Sequence, residues 1–273
     1  MPELPEVEVV RRTLGPEIAG RRILTVEVHR GDLREPVDEP SLQALSGRRF
    51  RPPDRRGKYL LLPDDRSGVL ALHFGMSGRL TLVPEPVPRE KHEHLAWHLE
   101  GEERLRYVDA RRFGLVLALE EESWRRDPHF AHLGLEPLGE EWSPGSLRRR
   151  AEGRRAPVKS FLMNARVVVG VGNIYASEAL HRAGIHPGRS VARIGAARWK
   201  TLAEAVREVL EEGIARGGTT LRDFVDGTGA PGRNRAHLAV YDREGEPCPR
   251  CSRPVRRRTQ AGRSTFYCPG CQH

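Results

Sequence analysis

The chain has 273 residues, enough for two domains and a sizeable buried core. Its 46 lysines and arginines exceed its 37 acidic residues, which gives a formal net charge of +9 and favours an anionic partner such as nucleic acid. No run of 18 apolar residues occurs and no basic segment leads into an apolar one, so neither a transmembrane helix nor a signal peptide is expected and the protein is predicted to be cytoplasmic.

The first element is predicted to be a short helix over residues 3–14. Val7, Val10 and Leu14 share one helical stripe, and Gly15 follows where a helix would end. From residue 22 to about 120 the pattern changes to short apolar runs between Gly, Pro and Asp clusters, which is typical of an antiparallel sandwich or barrel. The expected strands are Leu24–Val28, Tyr59–Leu62, Val69–Phe74, Arg79–Val83, His94–Leu99, Arg104–Val108 and Leu115–Leu119.

The second half of the chain is predicted to be helical. Prolines and the loss of the strand pattern after Asp127 indicate a connector, with a domain boundary near residue 133. Residues 217–245 are rich in glycine and predict an ordered but adaptable loop. The expected helices are 145–153, 158–165, 173–184 and 196–216, and the expected domains are a β domain at 1–132, a helical domain at 133–245 and a zinc finger at 246–273.

All four cysteines lie in the last 26 residues, as Cys248-x2-Cys251 and Cys268-x2-Cys271. In a reducing compartment this spacing indicates one tetrahedral zinc site rather than disulfides. Four thiolate ligands leave no position for a bound water, so the zinc is expected to be structural, and no organic cofactor is predicted. Residues 247–273 contain six arginines and no acidic residue, which predicts either a hairpin that binds phosphates or a solvated basic tail.

The opening residues carry a possible nucleophile. Removal of Met1 would leave the secondary amine of Pro2 beside Glu3. A free α-amino group has a pKa of about 7.7 to 8.0 against about 10.4 for lysine, so it is partly unprotonated at neutral pH. The chain has only four lysines, and a site that needs a titratable amine cannot use arginine instead. Lys58 is one of these four.

Two turns and one helix start are candidates for nucleic-acid contacts. The Asp109–Gly114 turn combines guanidinium groups with Phe113, which could enter a base stack, and Met76 lies in another turn. The glycines before Asn173 lead into a predicted helix with this residue at the N-cap, where free N–H groups could bind a phosphate. Each of these patterns also occurs in proteins that bind no ligand there.

Five motifs in order resemble the bacterial formamidopyrimidine-DNA glycosylase family along essentially the whole chain. They are Pro2–Glu8, Gly57-Lys58-Tyr59, Arg111–Gly114, Gly170–Glu178 and Gly262–Cys271. Endonuclease VIII relatives typically have glycine where this chain has Leu4, which favours the purine-repair branch. The resemblance implies an α+β multidomain fold, with an N-terminal antiparallel β-sandwich and opening helix, and a C-terminal helix-two-turn-helix domain with a zinc-finger β-hairpin.

The resemblance also implies residue roles. Pro2 would attack C1′ of the damaged nucleotide with Glu3 as acid/base partner, while Lys58 and Arg263 would assist β- and δ-elimination. The other implied contacts are His94, Arg111, Arg155, Lys159 and Asn173 to DNA, Met76, Arg111 and Phe113 in the gap left by the flipped base, and Glu6, Thr219 and Arg222 to the lesion. Asp223 stands where a neutral hydroxyl residue is expected and could pair with Arg222, and Glu6 could instead serve only the helix N-terminus.

The sequence therefore predicts a monomeric, membrane-independent enzyme that acts on double-stranded DNA with oxidised purines or abasic sites, and so associates with the nucleoid. It would remove 8-oxoguanine and formamidopyrimidines as a glycosylase and then cut the strand as an AP lyase. Two alternatives stay open, a non-catalytic zinc-ribbon DNA-binding protein and an endonuclease VIII-like glycosylase for oxidised pyrimidines. The first alternative has no use for Pro2, Glu3 or Lys58.

Overall fold

The computed structural model describes all 273 residues, which form two compact units. The first unit contains Met1–Ala131 and Ile214–Arg235, and the second contains His132–Gly213 and Ala236–His273. The segment 214–235, expected within the helical domain, therefore folds with the β-rich N-terminal part of the chain. No helix is both long and apolar enough to cross a membrane.

The first unit opens with helix α1, Leu4–Ile18. The expectation that this helix stops at Gly15 is wrong, because it continues through Pro16 to Ile18. Leu14 and Ile18 are both fully buried, so the additional turn removes a second large apolar side chain from water. A short helix α2, Glu39–Gln43, follows, with the Asp38 side chain accepting from the N–H of Ser41 at its start.

Eight strands of the first unit form two four-stranded antiparallel sheets, a β-sandwich as predicted. One sheet has the order β1-β6-β7-β5 and the other β2-β3-β4-β8. The strands are β1 Ile23–Val28, β2 Asp54–Arg56, β3 Tyr59–Pro63, β4 Gly68–His73, β5 Arg79–Pro84, β6 Glu93–Leu99, β7 Glu103–Val108 and β8 Leu115–Glu120. The fully buried Leu60, Leu72, Trp97 and Leu105 are part of the apolar core.

Two details of this sandwich differ from the sequence prediction. A bulge between Ile23 and Thr25 places Ile23 and Val26 inward, so Leu24 is 50% exposed although strict alternation predicts it on one face with Val26 and Val28. Strand β2 is absent from the predicted strands, because its three residues, Asp54–Arg56, are all charged. It forms by pairing with β3 across the Gly57–Lys58 turn.

The second unit contains the predicted helices at shorter lengths. They are α3 Pro144–Ala151, α4 Val158–Leu162, α5 Asn173–Arg182 and α6 Ala196–Ala215, the last of which ends in the first unit. Helix α4 ends three residues earlier than expected because Asn164 turns the chain. Its side-chain oxygen accepts from the N–H of Arg166, and its carbonyl accepts from the N–H groups of Val167 and Val168.

The chain ends in an antiparallel hairpin of β9, Arg256–Gln260, and β10, Arg263–Tyr267. The hairpin packs on a small apolar cluster with the cysteine segments, formed by Val240, Cys248, Val255, Phe266 and Cys268. Three 3₁₀ turns complete the secondary structure, at Trp124–Arg126, Val191–Arg193 and Asn234–His237.

Candidate functional site

The predicted nucleophile and its acidic partner lie at the head of α1. Pro2 is buried and follows Met1, so its nitrogen is an amide in this chain, and Glu3 is 2% exposed. Glu6 is also buried, and its two carboxylate oxygens accept from the backbone N–H groups of Glu3 (2.8 Å) and Thr219 (2.7 Å). Glu6 therefore stabilises the helix start, which was the alternative role expected for it, and also anchors residue 219 of the glycine-rich loop.

Lys58 lies in the β2–β3 turn, which depends on Gly57 at a φ of 58°. Arg55 fixes this turn, because it donates to the Gly57 carbonyl (3.1 Å) and to the buried carboxylate of Glu8 (3.1 Å). Burial raises the pKa of Glu8, but hydrogen bonds from Arg11, Arg12 and Arg55 outweigh it and lower this pKa to about 2. A run of ion pairs from α1 thus holds the lysine turn.

His73, at the end of β4, lies within the electrostatic field of Lys58. Burial lowers the pKa of His73 to about 4, and repulsion from Lys58 and Arg34 acts in the same direction. The imidazole is therefore neutral at pH 7, and its Nδ1 accepts from the N–H of Gly75 (3.1 Å). This bond connects β4 to the turn that carries Met76.

The three predicted gap-filling side chains stand out from the first unit. Met76 is 40% exposed and Phe113 is 46% exposed, and they are two of only four large apolar side chains with such exposure. Arg111 is exposed as well, with its guanidinium carbon 4.9 Å from the centroid of the Phe113 ring. Exposed apolar side chains next to a cation are suited to entering a base stack.

The imidazole of His94, predicted to contact phosphate, points into the protein. It is 4% exposed, and its Nε2 lies 2.8 Å from the Asp109 carbonyl oxygen. The exposed imidazole of this segment is that of His92, whose backbone adopts a φ of 68° and whose carbonyl accepts from the N–H of Asp109. Sequence reasoning missed His92, although it lies only two residues away, since alternation does not show which histidine is outside.

In the second unit, Lys159 and Asn173 both contact the hairpin. Lys159 is 2% exposed and donates to the Ser264 carbonyl (3.2 Å) and the Thr265 hydroxyl (2.8 Å), while Asn173 donates to the same Ser264 carbonyl (3.0 Å). Asn173 is not the N-cap of α5 as expected; Gly172 holds that position and frees the Asn173 amide for the hairpin.

Two predicted phosphate-binding arginines of this unit are accessible. Arg263, next to these bonds at the start of β10, is exposed, and Arg155 is exposed between α3 and α4. Neither guanidinium has a hydrogen-bond or ion-pair partner in the structure, so both are available to an anion.

The predicted lesion contacts belong to the first unit and differ in accessibility. Thr219 is 3% exposed, and its hydroxyl accepts from the Asn234 amide (2.9 Å), so it braces the loop from within. Arg222 and Asp223 are both exposed. They form no ion pair with each other, which contradicts the pairing considered for them.

The four cysteines converge on one metal site. Their Sγ atoms all lie within 4.8 Å of one another, with 3.9 Å between Cys248 and Cys271 and 3.4 Å between Cys251 and Cys268. A zinc ion with bonds of about 2.3 Å to four thiolates separates the sulfurs by roughly 3.8 Å, which this set matches. The protein carries a single structural zinc. His181 of α5, buried at 3% exposure, places its Nε2 3.3 Å from the Cys248 sulfur.

The chain thus combines a β-sandwich, a helical part with α3 to α6 and a hairpin with a four-cysteine zinc site, which is the architecture of a multidomain zinc-finger protein. Three family models match successive parts of the chain. Residues 1–116 match the formamidopyrimidine-DNA glycosylase N-terminal domain, residues 133–225 its H2TH domain, and residues 245–273 the zinc finger found in FPG and IleRS. The chain belongs to the formamidopyrimidine-DNA glycosylase family.

Individual relatives match over the full length. A formamidopyrimidine-DNA glycosylase of Methylococcus capsulatus is 50% identical, with all of both chains covered. The Lactococcus lactis Fpg in complex with DNA containing an abasic site is 32% identical, with a TM-score of 0.91 and 99% of each chain covered. A point mutant of that protein in complex with Fapy-dG-containing DNA gives a TM-score of 0.92 at the same identity and coverage.

Proposed function

We propose that this protein is a bifunctional DNA glycosylase and AP lyase that removes oxidised purines from duplex DNA. The observation that carries the proposal is family membership over the whole length, with Pro2 and Glu3 at the head of α1. The Lactococcus lactis relatives bind abasic and Fapy-dG-containing DNA, which are the substrates and intermediates that this activity requires. The exposed arginines of the zinc hairpin and the +9 charge are consistent with a duplex DNA partner.

In the proposed reaction, the Pro2 nitrogen becomes available when Met1 is removed. It attacks C1′ of the damaged nucleotide, the bond from C1′ to the base breaks, and the base leaves with a proton. Opening of the sugar ring then gives an iminium that joins Pro2 to C1′ and makes the C2′ proton acidic. Loss of that proton breaks the C3′–O bond, and a second elimination breaks the C5′–O bond. Water finally hydrolyses the iminium and releases the enzyme.

The other functional residues have separate tasks in this proposal. Glu3 exchanges protons beside the sugar, and Lys58 holds the phosphate near the β-elimination with its position set by Arg55 and Glu8. Arg263 binds phosphate and assists the δ-elimination. The phosphate contact predicted for His94 is assigned to His92, because only the latter imidazole is accessible.

The remaining predicted contacts concern the bound DNA. Met76, Arg111 and Phe113 fill the gap left by the flipped nucleotide, which is supported by the exposure of all three side chains. Arg155 contacts a phosphate directly, whereas Lys159 and Asn173 support the hairpin beside Arg263. Arg222 is the accessible lesion contact.

Trapping with borohydride tests the function. Processed protein incubated with an 8-oxoguanine duplex should give a covalent protein–DNA adduct after reduction, because borohydride reduces the iminium to a stable amine. The adduct yield should fall strongly for protein that retains Met1, because the Pro2 nitrogen is then an amide, and for Pro2→Gly, because its primary α-amine is a weaker nucleophile than the secondary amine of proline. An adduct of equal yield in both controls would contradict the proposed nucleophile.

The same assay separates the alternatives. Abasic duplex that stays intact with processed, zinc-loaded protein would support a non-catalytic DNA-binding role. Faster excision of an oxidised pyrimidine than of 8-oxoguanine would support the endonuclease VIII-like alternative. We propose in addition that the protein acts as a monomer in the cytoplasm, on the DNA of the nucleoid, where its substrate is found.

A further inference from the structure

One buried carboxylate connects the two turns that carry the exposed wedge residues. Asp109 is 0% exposed and lies directly after β7, at the start of the turn that contains Arg111 and Phe113. The second wedge turn, with Met76, connects β4 to β5. The two turns are far apart in the sequence, so their alignment depends on contacts between them.

Both oxygens of Asp109 are used in these contacts. Oδ1 accepts from the Ser77 hydroxyl (2.6 Å) and from the N–H of Arg111 (3.3 Å), and the Ser77 oxygen in turn accepts from that same N–H (3.1 Å). Oδ2 accepts from the N–H of Gly114 (2.8 Å) and from the Tyr107 hydroxyl (3.4 Å). The carboxylate thus bonds to one neighbour of Met76 and to residues on both sides of Phe113.

The backbones of the two turns are also in direct contact. Gly75 has a φ of 57°, and a Cβ atom at this position would collide with the Phe113 carbonyl group. A Cβ atom at Gly114 would collide with the Tyr107 hydroxyl. The two glycines therefore permit an approach that the Asp109 bonds hold in register.

We propose that Asp109 is a positioning residue that holds Met76, Arg111 and Phe113 as one rigid wedge, so that the three side chains enter the base stack together. This inference rests on the proposed function, because it assumes that these side chains fill the gap. A preorganised wedge loses less conformational freedom on insertion than two independent turns would. Asp109 itself is fully buried and its carboxylate is hydrogen-bonded within the protein, so the role proposed for it is to position other residues.

The substitution Asp109→Asn tests the inference with little change in volume. The new amide keeps one acceptor oxygen but turns an N–H group toward the donors at Gly114 or Ser77, so one side of the connection is lost. Asp64→Asn is the matched control. Asp64 is equally buried, with Oδ1 accepting from the N–H groups of Arg66 and Gly68 and Oδ2 paired with Arg48 (2.9 Å), and the β3–β4 turn that it holds carries no proposed DNA contact.

The experiment compares the reaction rates on a duplex substrate and on a single-stranded substrate. Excision of 8-oxoguanine from a duplex requires the nucleotide to leave the stack, whereas an abasic site in single-stranded DNA requires only the chemistry at C1′. We expect Asp109→Asn to lower the duplex rate about tenfold or more and the single-strand trapping rate less than about twofold. The rise in fluorescence of a 2-aminopurine beside the lesion should slow together with the duplex rate. Asp64→Asn should leave the ratio of the two rates unchanged.

If folded Asp109→Asn has a ratio of duplex rate to single-strand rate within about twofold of wild type, the inference is overturned. If that variant does not fold, Ser77→Ala is the substitute test, because it removes the bond from Ser77 to the carboxylate and the bond from the Arg111 N–H to Ser77 but leaves Asp109 in place. It should lower the same ratio about threefold, and an unchanged ratio would overturn the inference equally. Wild-type protein that processes neither substrate would refute the proposed function instead, so the two failures are distinguishable.

Discussion

The ion-pair cluster around Glu8 gives a prediction whose size follows from the structure. The substitution is Glu8→Gln, which keeps the shape of the side chain but removes its charge. Lowering the pKa of Glu8 from 4.5 to about 2 corresponds to about 3.5 kcal/mol of folding free energy at about 1.4 kcal/mol per pKa unit. Arg12 is 59% exposed, so water screens part of the interaction, and we expect a loss of about 2 kcal/mol at pH 7.

The dependence on pH follows from the direction of this pKa change. Because the folded-state pKa of Glu8 is depressed, its stabilisation is fully present above about pH 4.5 and is lost as the pH falls toward about 2. The difference in unfolding free energy between wild type and Glu8→Gln should therefore be constant from pH 7 to pH 5. It should shrink progressively at pH 4 and pH 3.

Urea unfolding at these four pH values measures the difference. Glu17→Gln is the matched control, since Glu17 is exposed on the same helix and forms no ion pair, and it should change stability by less than about 0.5 kcal/mol. A Glu8→Gln deficit that stays the same at pH 3 as at pH 7 would refute the electrostatic account. Equal deficits for Glu8→Gln and Glu17→Gln would refute it as well.

Three further predictions concern the second unit. His181→Phe removes a group that contacts the Cys248 sulfur, so zinc transfer from the protein to a chelating dye should accelerate about tenfold. His237→Phe, at an exposed histidine, should have no effect, and equal transfer rates for the two variants would contradict a role for the His181 contact. Arg263→Gln should lower the ratio of δ- to β-elimination product on sequencing gels by about tenfold. Arg256→Gln removes the same charge from the hairpin and should preserve this ratio, and an equal fall of the ratio in both variants would indicate a general charge effect. Arg155→Gln should reduce the slope of log Kd against log salt concentration by about 0.9, and an unaltered slope would exclude a phosphate contact there.

The sequence predicted most of the fold because its local signals agreed with the tertiary structure. Strands and helices show a periodic pattern of apolar residues because one face of each is buried. The paired cysteine spacing is visible in the sequence because four thiolates must reach one zinc ion. The errors lie where tertiary contacts override a local signal. Gly15 did not end α1 because Ile18 is buried beyond it, and β2 formed from charged residues because β3 provided a partner.

The candidate site was predicted less completely, since a motif identifies residues but not the direction of their side chains. His94 and Lys159 were expected on the DNA-binding surface, and both side chains are buried and hydrogen-bonded inside their own units. Asp109 is the first residue of the predicted Asp109–Gly114 turn and Arg55 lies two residues before the Gly57-Lys58-Tyr59 motif, but their connecting roles depend on residues distant in the sequence. Such contacts leave no periodic signal in a single chain.

Identification of the residue that bears the sugar tests the central claim most directly. After borohydride reduction with an abasic duplex, digestion and mass spectrometry should locate the deoxyribose remnant on the peptide that begins with Pro2, at its nitrogen. Fragment ions that place the remnant on Lys58, or on any residue of protein that still carries Met1, would contradict an N-terminal proline nucleophile.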